Sequence, residues 1–406
     1  MQRINRAEYI DFLIRSKDRQ IIKVVSGIRR CGKSTLFELY RDWLLASGVQ
    51  EAQIISINLE DVDFEHLGNY RQLYDYIKPQ LLPDAMNYIF LDEIQHVQHF
   101  EKAVDSLFIK ANVDLYITGS NAYFMSSELA TLLTGRYIEL KMLPLSFAEY
   151  CDGLAMYERD KSMTKMERYN AYLRESSFPY ALQLHGRSKD ISEYLFGLYN
   201  SILLKDIVAR LKISDVMMLE SVVHFVFDNI GNILSPSKIA NTMTSAGRKI
   251  DQKTVERYLS GLADSLLVYQ AKRYNIKGKQ HLATLGKYYM ADLGLRKLIL
   301  GSRASDQGHM LENIVYLELL RRGNAVYIGH LPDGEVDFVA QDEHGSSYYQ
   351  VAATVLDGNT LQRELASLEK INDHFPKTLL TFDEIGAGTT HNGIRQVNVL
   401  DWLLQR

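Results

Sequence analysis

Ser26-Gly27-Ile28-Arg29-Arg30-Cys31-Gly32-Lys33-Ser34-Thr35 is the stretch on which the reading of this chain turns. Gly27, Gly32, Lys33 and Ser34 occupy the defining places of the phosphate-loop pattern G-x-x-x-x-G-K-[ST]. Glycines, lacking a Cβ, let the backbone wind tightly and turn successive N–H groups toward an anion. Lys33 then reaches the β- and γ-phosphates of a bound nucleotide, and the Ser34 hydroxyl binds Mg²⁺. The nucleotide-binding segment runs from Gly27 through Ile28, Arg29, Arg30, Cys31, Gly32, Lys33 and Ser34 to Thr35.

The flanks agree with that reading. Gln20-Ile21-Ile22-Lys23-Val24-Val25 is an apolar, β-branched run that predicts a buried strand. Beyond the loop, Leu36, Leu39, Tyr40 and Trp43 share one helical face, and Ser47-Gly48 is a stop signal. Strand, glycine loop, helix is the order that sets a phosphate at a positive helix N-terminus.

A second motif supplies the carboxylates. Asn87-Tyr88-Ile89-Phe90-Leu91-Asp92-Glu93 is a buried strand ending in adjacent acids, a Walker-B pattern. Asp92 is expected to face Mg²⁺ and Glu93 to orient and deprotonate the attacking water. A further strand, Val113 to Thr118, leads into Gly119-Ser120-Asn121, where a polar residue would sense the γ-phosphate. Ser120 and Asn121 both qualify. Arg136, in Thr134-Gly135-Arg136-Tyr137, is an arginine-finger candidate, and a surface ion pair fits its spacing equally well. The expected cofactors are ATP and Mg²⁺.

Composition bounds the rest. A chain of 406 residues calls for two to three domains. No apolar run approaches the ~18 residues that cross a bilayer, and no signal core follows the polar N-terminus, so a cytoplasmic protein without a membrane partner is expected. The two cysteines, Cys31 and Cys151, make no disulfide framework. Net charge is −4, yet residues 201–300 hold 15 Lys and Arg against 8 Asp and Glu. That basic middle hints at an anionic partner, with a solvated basic face as the plainer alternative.

The series GIRRCGKST, YIFLDEIQ, ITGSNA, LTGRY and LPLSFAEY resembles the prokaryotic AAA-type ATPases fused to a C-terminal domain of unknown function. Phe178-Pro179-Tyr180, Leu203 to Arg210, Gly334-Glu335-Val336-Asp337-Phe338 and Gln350-Val351 extend the resemblance over nearly the whole chain. It implies an α/β fold: an AAA-type P-loop domain with a parallel sheet, a winged helix, and an α/β domain similar to PD-(D/E)XK restriction endonucleases. The expected division is an ATPase domain at 1–150, a helical connector at 151–215, a winged helix at 216–300 and a nuclease-like domain at 301–406. Ser176-Ser177 departs from the family's usual Gly-Gly before Phe178, which leaves the conformation of that turn open.

The middle segment reads as a winged helix from its own residues. Ser235 caps a helix with Pro236 at its first position, and Asp251 caps a second with apolar Val255, Tyr258, Leu259 and Leu262. Lys272 to Lys279 is a basic hairpin with Gly278 at its tip. Lys253, Arg257, Lys272, Arg273, Lys277 and Lys279 are the candidate DNA phosphate contacts, with a winged helix used for protein packing as the alternative. In the C-terminal segment an amphipathic helix carries Glu312, and Asp337 suits a metal-dependent nuclease of the resembled fold, but Gln350 and Ala352 stand where Glu and Lys are required. An inactive nuclease fold is expected. Asp206 and Arg210 stand four apart on a predicted helix, an ordinary ion pair or, for Arg210, a contact to a neighbouring subunit's nucleotide.

The leading expectation is a DNA-binding ATPase that remodels or marks DNA, with a possible homo-oligomer supplying an arginine finger. A nucleotide-dependent protein-interaction switch is the runner-up, and an ATP-gated nuclease the third reading.

Overall fold

The computed structural model describes residues 3–119, 133, 135–301 and 307–405. It divides into two compact units, Met1–Pro144 with Asp264–Leu266, and Leu145–Ala263 with Leu267–Arg406. The expected sensor residues Ser120 and Asn121 lie outside the described residues.

The first unit is a five-stranded parallel sheet. Its strands are β1 (Ile22–Gly27), β2 (Ile54–Asn58), β3 (Asn87–Asp92), β4 (Val113–Thr118) and β5 (Tyr137–Met142), in the order β2-β3-β4-β1-β5. β1, β3 and β4 are buried at every position. Helices cover the strands of such a sheet on both faces, which is why these segments are apolar runs rather than alternating ones. Ile22, Val24, Ile89, Leu91, Leu115 and Ile117 meet Leu73, Val104 and Leu107 of the helices Tyr70–Ile77 and Phe100–Phe108 in one core.

β1 lies between β4 and β5, so the loop after Gly27 opens at the carboxyl end of the sheet, next to the end of β4. The carboxyl ends of β3 and β4 lie side by side, which brings Asp92 and Thr118 together. The opposite end is held by a buried ion pair of Lys23 and Asp114. Tyr116 donates to that carboxylate at 2.7 Å and stands 3.0 Å from the Tyr40 hydroxyl.

In the second unit, the described residues between Phe147 and Ala209 form helices without a strand. Ile202–Ala209 is wound as a π-helix with Arg210 at its C-cap, so Asp206 and Arg210 stand on a wider turn than the α-helix expected of them. Ser235 accepts from the Lys238 N–H at 3.1 Å and Asp251 from that of Thr254 at 3.0 Å, the two caps read from sequence.

The strands β6 (Ile233–Leu234), β7 (Val268–Asn275), β8 (Gln280–Met290), β9 (Ala325–Leu331), β10 (Gly334–Asp342), β11 (Gly345–Val351), β12 (Lys377–Thr381), β13 (Thr390–His391) and β14 (Ile394–Asn398) make one mixed sheet. Their order is β13-β14-β12-β11-β10-β9-β7-β8-β6. The basic hairpin β7–β8 therefore shares its sheet with the C-terminal strands, joined through parallel pairing of Arg273–Asn275 with Ile328–His330. A core of Ile276, Val336, Val339, Leu365, Leu368 and Leu379 underlies it. No helix among the described residues is long and apolar enough to cross a membrane.

Candidate functional site

β1 delivers Gly27 into a space where no side chain fits. A Cβ there would lie 2.5 Å from the Met142 carbonyl oxygen and 2.8 Å from Cys31 Sγ. Gly32, at φ 105°, caps the helix Lys33–Ala46 with no side-chain acceptor, so the first N–H groups of that helix stay available to an anion. The loop is braced from behind. Buried Arg6 donates to the Cys31 carbonyl at 3.2 Å and the Leu143 carbonyl at 2.7 Å. The Cys31 thiol is wholly buried, which pushes its pKa up and makes it a packing group rather than a nucleophile.

Lys33 is folded into the site. Its Nζ donates to the Gly27 carbonyl at 3.2 Å and stands 3.6 Å from Glu93 Oε1. Asp92 sits at the end of β3, where burial raises its pKa and hydrogen bonds from Ser34 and Thr118 draw it back. Thr118 Oγ1 donates to Asp92 Oδ1 and accepts the Glu93 backbone N–H at 2.9 Å. Glu93 has a left-handed backbone, φ 54° and ψ 50°, and its Oε2 accepts from Gln95 Nε2 at 2.5 Å. Gly27, Gly32, Lys33, Ser34, Asp92 and Glu93 are thus brought to one place. Thr118, Arg6 and Gln95 join them without having been read as site residues from sequence. Thr118 was readable as the last polar residue of its strand, whereas Arg6 had no local signal.

The residues present fit the groups the motifs imply. A helix N-terminus without a side-chain cap, a buried lysine and a glycine cradle suit a polyphosphate. Ser34 and Asp92 offer the hard oxygen ligands that Mg²⁺ takes.

Arg136 is not part of this constellation. Its carbonyl accepts from Ile22 N at 2.9 Å, at the amino end of β1, and its guanidinium pairs with Asp105 at 3.5 Å. From Ile22 to Gly27 the strand rises about 16 Å at ~3.3 Å per residue, so Arg136 stands at the wrong edge of the sheet for the nucleotide of its own chain. The ion pair is the arrangement it adopts here.

In the second unit, Lys253, Lys272, Lys277 and Lys279 are exposed. Arg257 donates to the Leu211 carbonyl, and Arg273 contacts His330 Nδ1 at 2.8 Å. Glu312 and Asp337 converge with a cation missed from sequence, Lys287 of β8, which pairs with Glu312 at 2.9 Å and Glu335 at 2.6 Å. Burial opposes the charge of Lys287, but Glu312, Asp337 and Glu335 outweigh it and hold its pKa above the ordinary range. Burial and the neighbouring Glu312 push Asp337 well up, and its Oδ2 accepts from Val351 N at 2.8 Å. Gln350 donates to Glu364 at 2.9 Å. No group of three or more His, Cys, Asp or Glu side chains that could hold a metal ion occurs among the described residues.

Residues 19–151 match the family described as an AAA domain, and residues 166–306 match a domain of unknown function, DUF8612. An uncharacterized protein of Haemophilus influenzae is 38% identical over 404 residues, 99% of each chain. An uncharacterized protein of Methanocaldococcus jannaschii is 28% identical over 367 residues, 86% of this chain and 78% of its own. Among solved structures, a Walker-type ATPase of Pyrococcus abyssi aligns over 73% of this chain and 96% of its own, with a TM-score of 0.52 and 16% identity, a likeness of fold. The chain belongs to the family of the uncharacterized Haemophilus influenzae protein and carries an AAA-type P-loop ATPase domain followed by a domain of unknown function.

Proposed function

We propose that the chain is a Mg²⁺-dependent ATPase coupling nucleotide hydrolysis to DNA through its basic middle segment. The observation that carries the ATPase half is the convergence of Lys33, Ser34, Asp92, Glu93 and Thr118 at the carboxyl end of one parallel sheet. The amides at the start of the helix Lys33–Ala46, together with Lys33, hold the phosphates. Ser34 and Asp92 hold the metal, which when bound neutralises charge on the transferring phosphoryl group. Glu93 accepts the proton of the attacking water, and Thr118 keeps Asp92 and the Glu93 backbone in register. An arginine finger, if Arg136 supplies one, acts on a neighbouring copy.

The DNA half rests on exposed Lys253, Lys272, Lys277 and Lys279, and on the absence of any acidic side chain between Asp264 and Asp292. We assign residues 1–150 to the ATPase domain, 151–215 to a helical connector, 216–300 to a winged helix and 301–406 to a nuclease-like domain without cleavage. A second reading, a protein-interaction switch, is favoured by Arg257 and Arg273, whose guanidinium groups contact the Leu211 carbonyl and His330 of the chain itself. ATPase rates with duplex, single-stranded and branched DNA at two salt concentrations separate the two. Stimulation that fades with salt and is lost when Lys277 and Lys279 become Glu supports DNA coupling. A flat response to every DNA leaves the protein switch.

A further inference from the structure

The outer half of the β7–β8 hairpin interleaves cations and rings: Lys272, Tyr274, Lys277, Lys279 and His281 follow one another within ten residues. Folding adds Tyr327 from β9. The centroids of Tyr274 and His281 lie 5.3 Å apart, of Tyr274 and Tyr327 5.9 Å, and of His281 and Tyr327 4.7 Å. Three rings thus form one cluster. His281 is exposed, and Tyr274 and Tyr327 are half-buried against the sheet core.

Two features keep this cluster at the surface. β6 pairs with β8 only at Lys287 and Gly286, so Gln280–Leu282 lacks a strand partner on that side among the described residues. The pairing of β7 with β8 also slips between Lys272 and Arg273, which face Gly286 and Leu282 respectively. Leu285, within that slip, is 40% exposed with a left-handed φ of 67°. A bulge of this kind bends the strand end away from the flat sheet.

We infer that Tyr274, His281 and Tyr327, flanked by Lys272, Lys277 and Lys279, form a platform on which a single-stranded nucleic acid stacks its bases while the lysines hold its phosphates. The inference rests on the DNA-coupled reading above and narrows its substrate to an unpaired strand. Charge selects the occupant. Between Ser265 and Ala291 the exposed cations are Lys272, Lys277 and Lys279, and the segment has no carboxylate. A duplex hides its base faces, whereas an unpaired strand offers a π-face at every nucleotide, and ring stacking tolerates any base. The platform reads bases and phosphates, so DNA and RNA strands share the required chemistry.

The test is fluorescence anisotropy of labelled oligo(dT), oligo(U) and a duplex of equal length on the full chain at low salt. Oligo(dT) or oligo(U) is expected to bind more tightly than the duplex, the tighter of the two identifying the natural strand. H281A should weaken single-strand binding about tenfold, and H281F should retain it, because stacking needs a ring and not a particular one. Y327F should also retain binding. Lys279→Ala should lower both affinity and its salt dependence. The platform is overturned if H281A, with unchanged circular dichroism, binds oligo(dT) and oligo(U) as the parent does. It is overturned alone if the duplex binds and stimulates the ATPase while neither single strand binds. If no nucleic acid binds or stimulates, the DNA-coupled reading falls with it.

Discussion

Thr118 holds Asp92 by its hydroxyl: Oγ1 donates to the carboxylate and, with its lone pair, accepts the N–H of Glu93 at 2.9 Å. One side chain at the end of β4 thus sets both acids at the end of β3. Thr118→Val keeps the shape and removes the hydroxyl. It should cut turnover roughly 10- to 100-fold, the effect of stranding a buried acceptor, while nucleotide still binds. Single-turnover hydrolysis beside a nucleotide-binding titration separates these effects, and an unchanged rate would sink this role for Thr118.

Lys33→Ala should abolish ATP binding, because Lys33 Nζ is folded to the Gly27 carbonyl and beside Glu93, where the phosphates of a nucleotide would lie. Glu93→Gln should bind ATP and hydrolyse it at least ~100-fold more slowly, the contribution of a general base. If Glu93→Gln turns over ATP at the parental rate, Glu93 is not the base.

Lys287 is the counter-charge for Glu312 and Glu335 in the second unit. Lys287→Met should destabilise that unit by about 3–5 kcal/mol, because the buried Glu312 carboxylate then lacks its cation. Thermal unfolding followed by circular dichroism reads this. No Mg²⁺-dependent cleavage of DNA is expected, since Gln350 and Ala352 are neutral where the resemblance to restriction endonucleases would require Glu and Lys. Cleavage that Asp337→Asn removes would restore the nuclease reading.

Ser176 adopts φ 141°, a region that favours glycine, and its hydroxyl donates to Asp292 at 3.0 Å. Asp292 also accepts from the Ser177 N–H at 2.6 Å and hydroxyl at 2.7 Å. Ser176→Gly relieves backbone strain of ~1–3 kcal/mol and loses a charge-assisted hydrogen bond of similar size. Its melting temperature should stay near that of the parent. A large fall would mean that the hydroxyl dominates.

Glu175, buried, contacts His185 Nδ1 at 2.5 Å and accepts from the Tyr150 hydroxyl at 3.2 Å. Burial works to raise its pKa, but the hydrogen bond and charge of His185 prevail and hold it below the usual carboxylate range. A carboxylate lowered in the folded state contributes stability above its unfolded value, and that stability is lost as pH falls through the folded one. His185→Phe should therefore move the acid-unfolding midpoint to higher pH. A titration of ellipticity against pH measures it, and a coincident curve would refute the pairing's role.

Much of the ATPase site was legible because its signals are local. Gly27, Gly32 and Lys33 lie within one turn of chain, and Asp92-Glu93 end one apolar run, so spacing alone identified them. The caps Ser235 and Asp251 were legible for the same reason, since a cap binds an amide three residues on. Pairing across strands carries no such mark. Thr118 meets Asp92 because β4 lies beside β3, and Lys287 meets Glu312 through a sheet that joins the hairpin to the C-terminal strands. Strand order likewise put Arg136 at the amino edge, where its number in the chain gave no hint of distance from the loop. The sequence by itself determined which residues form the phosphate-loop pattern, through backbone and cap preferences that act over a few residues. Only the tertiary structure decided which charges and rings share a neighbourhood, because contacts between residues far apart in sequence follow from strand order and register.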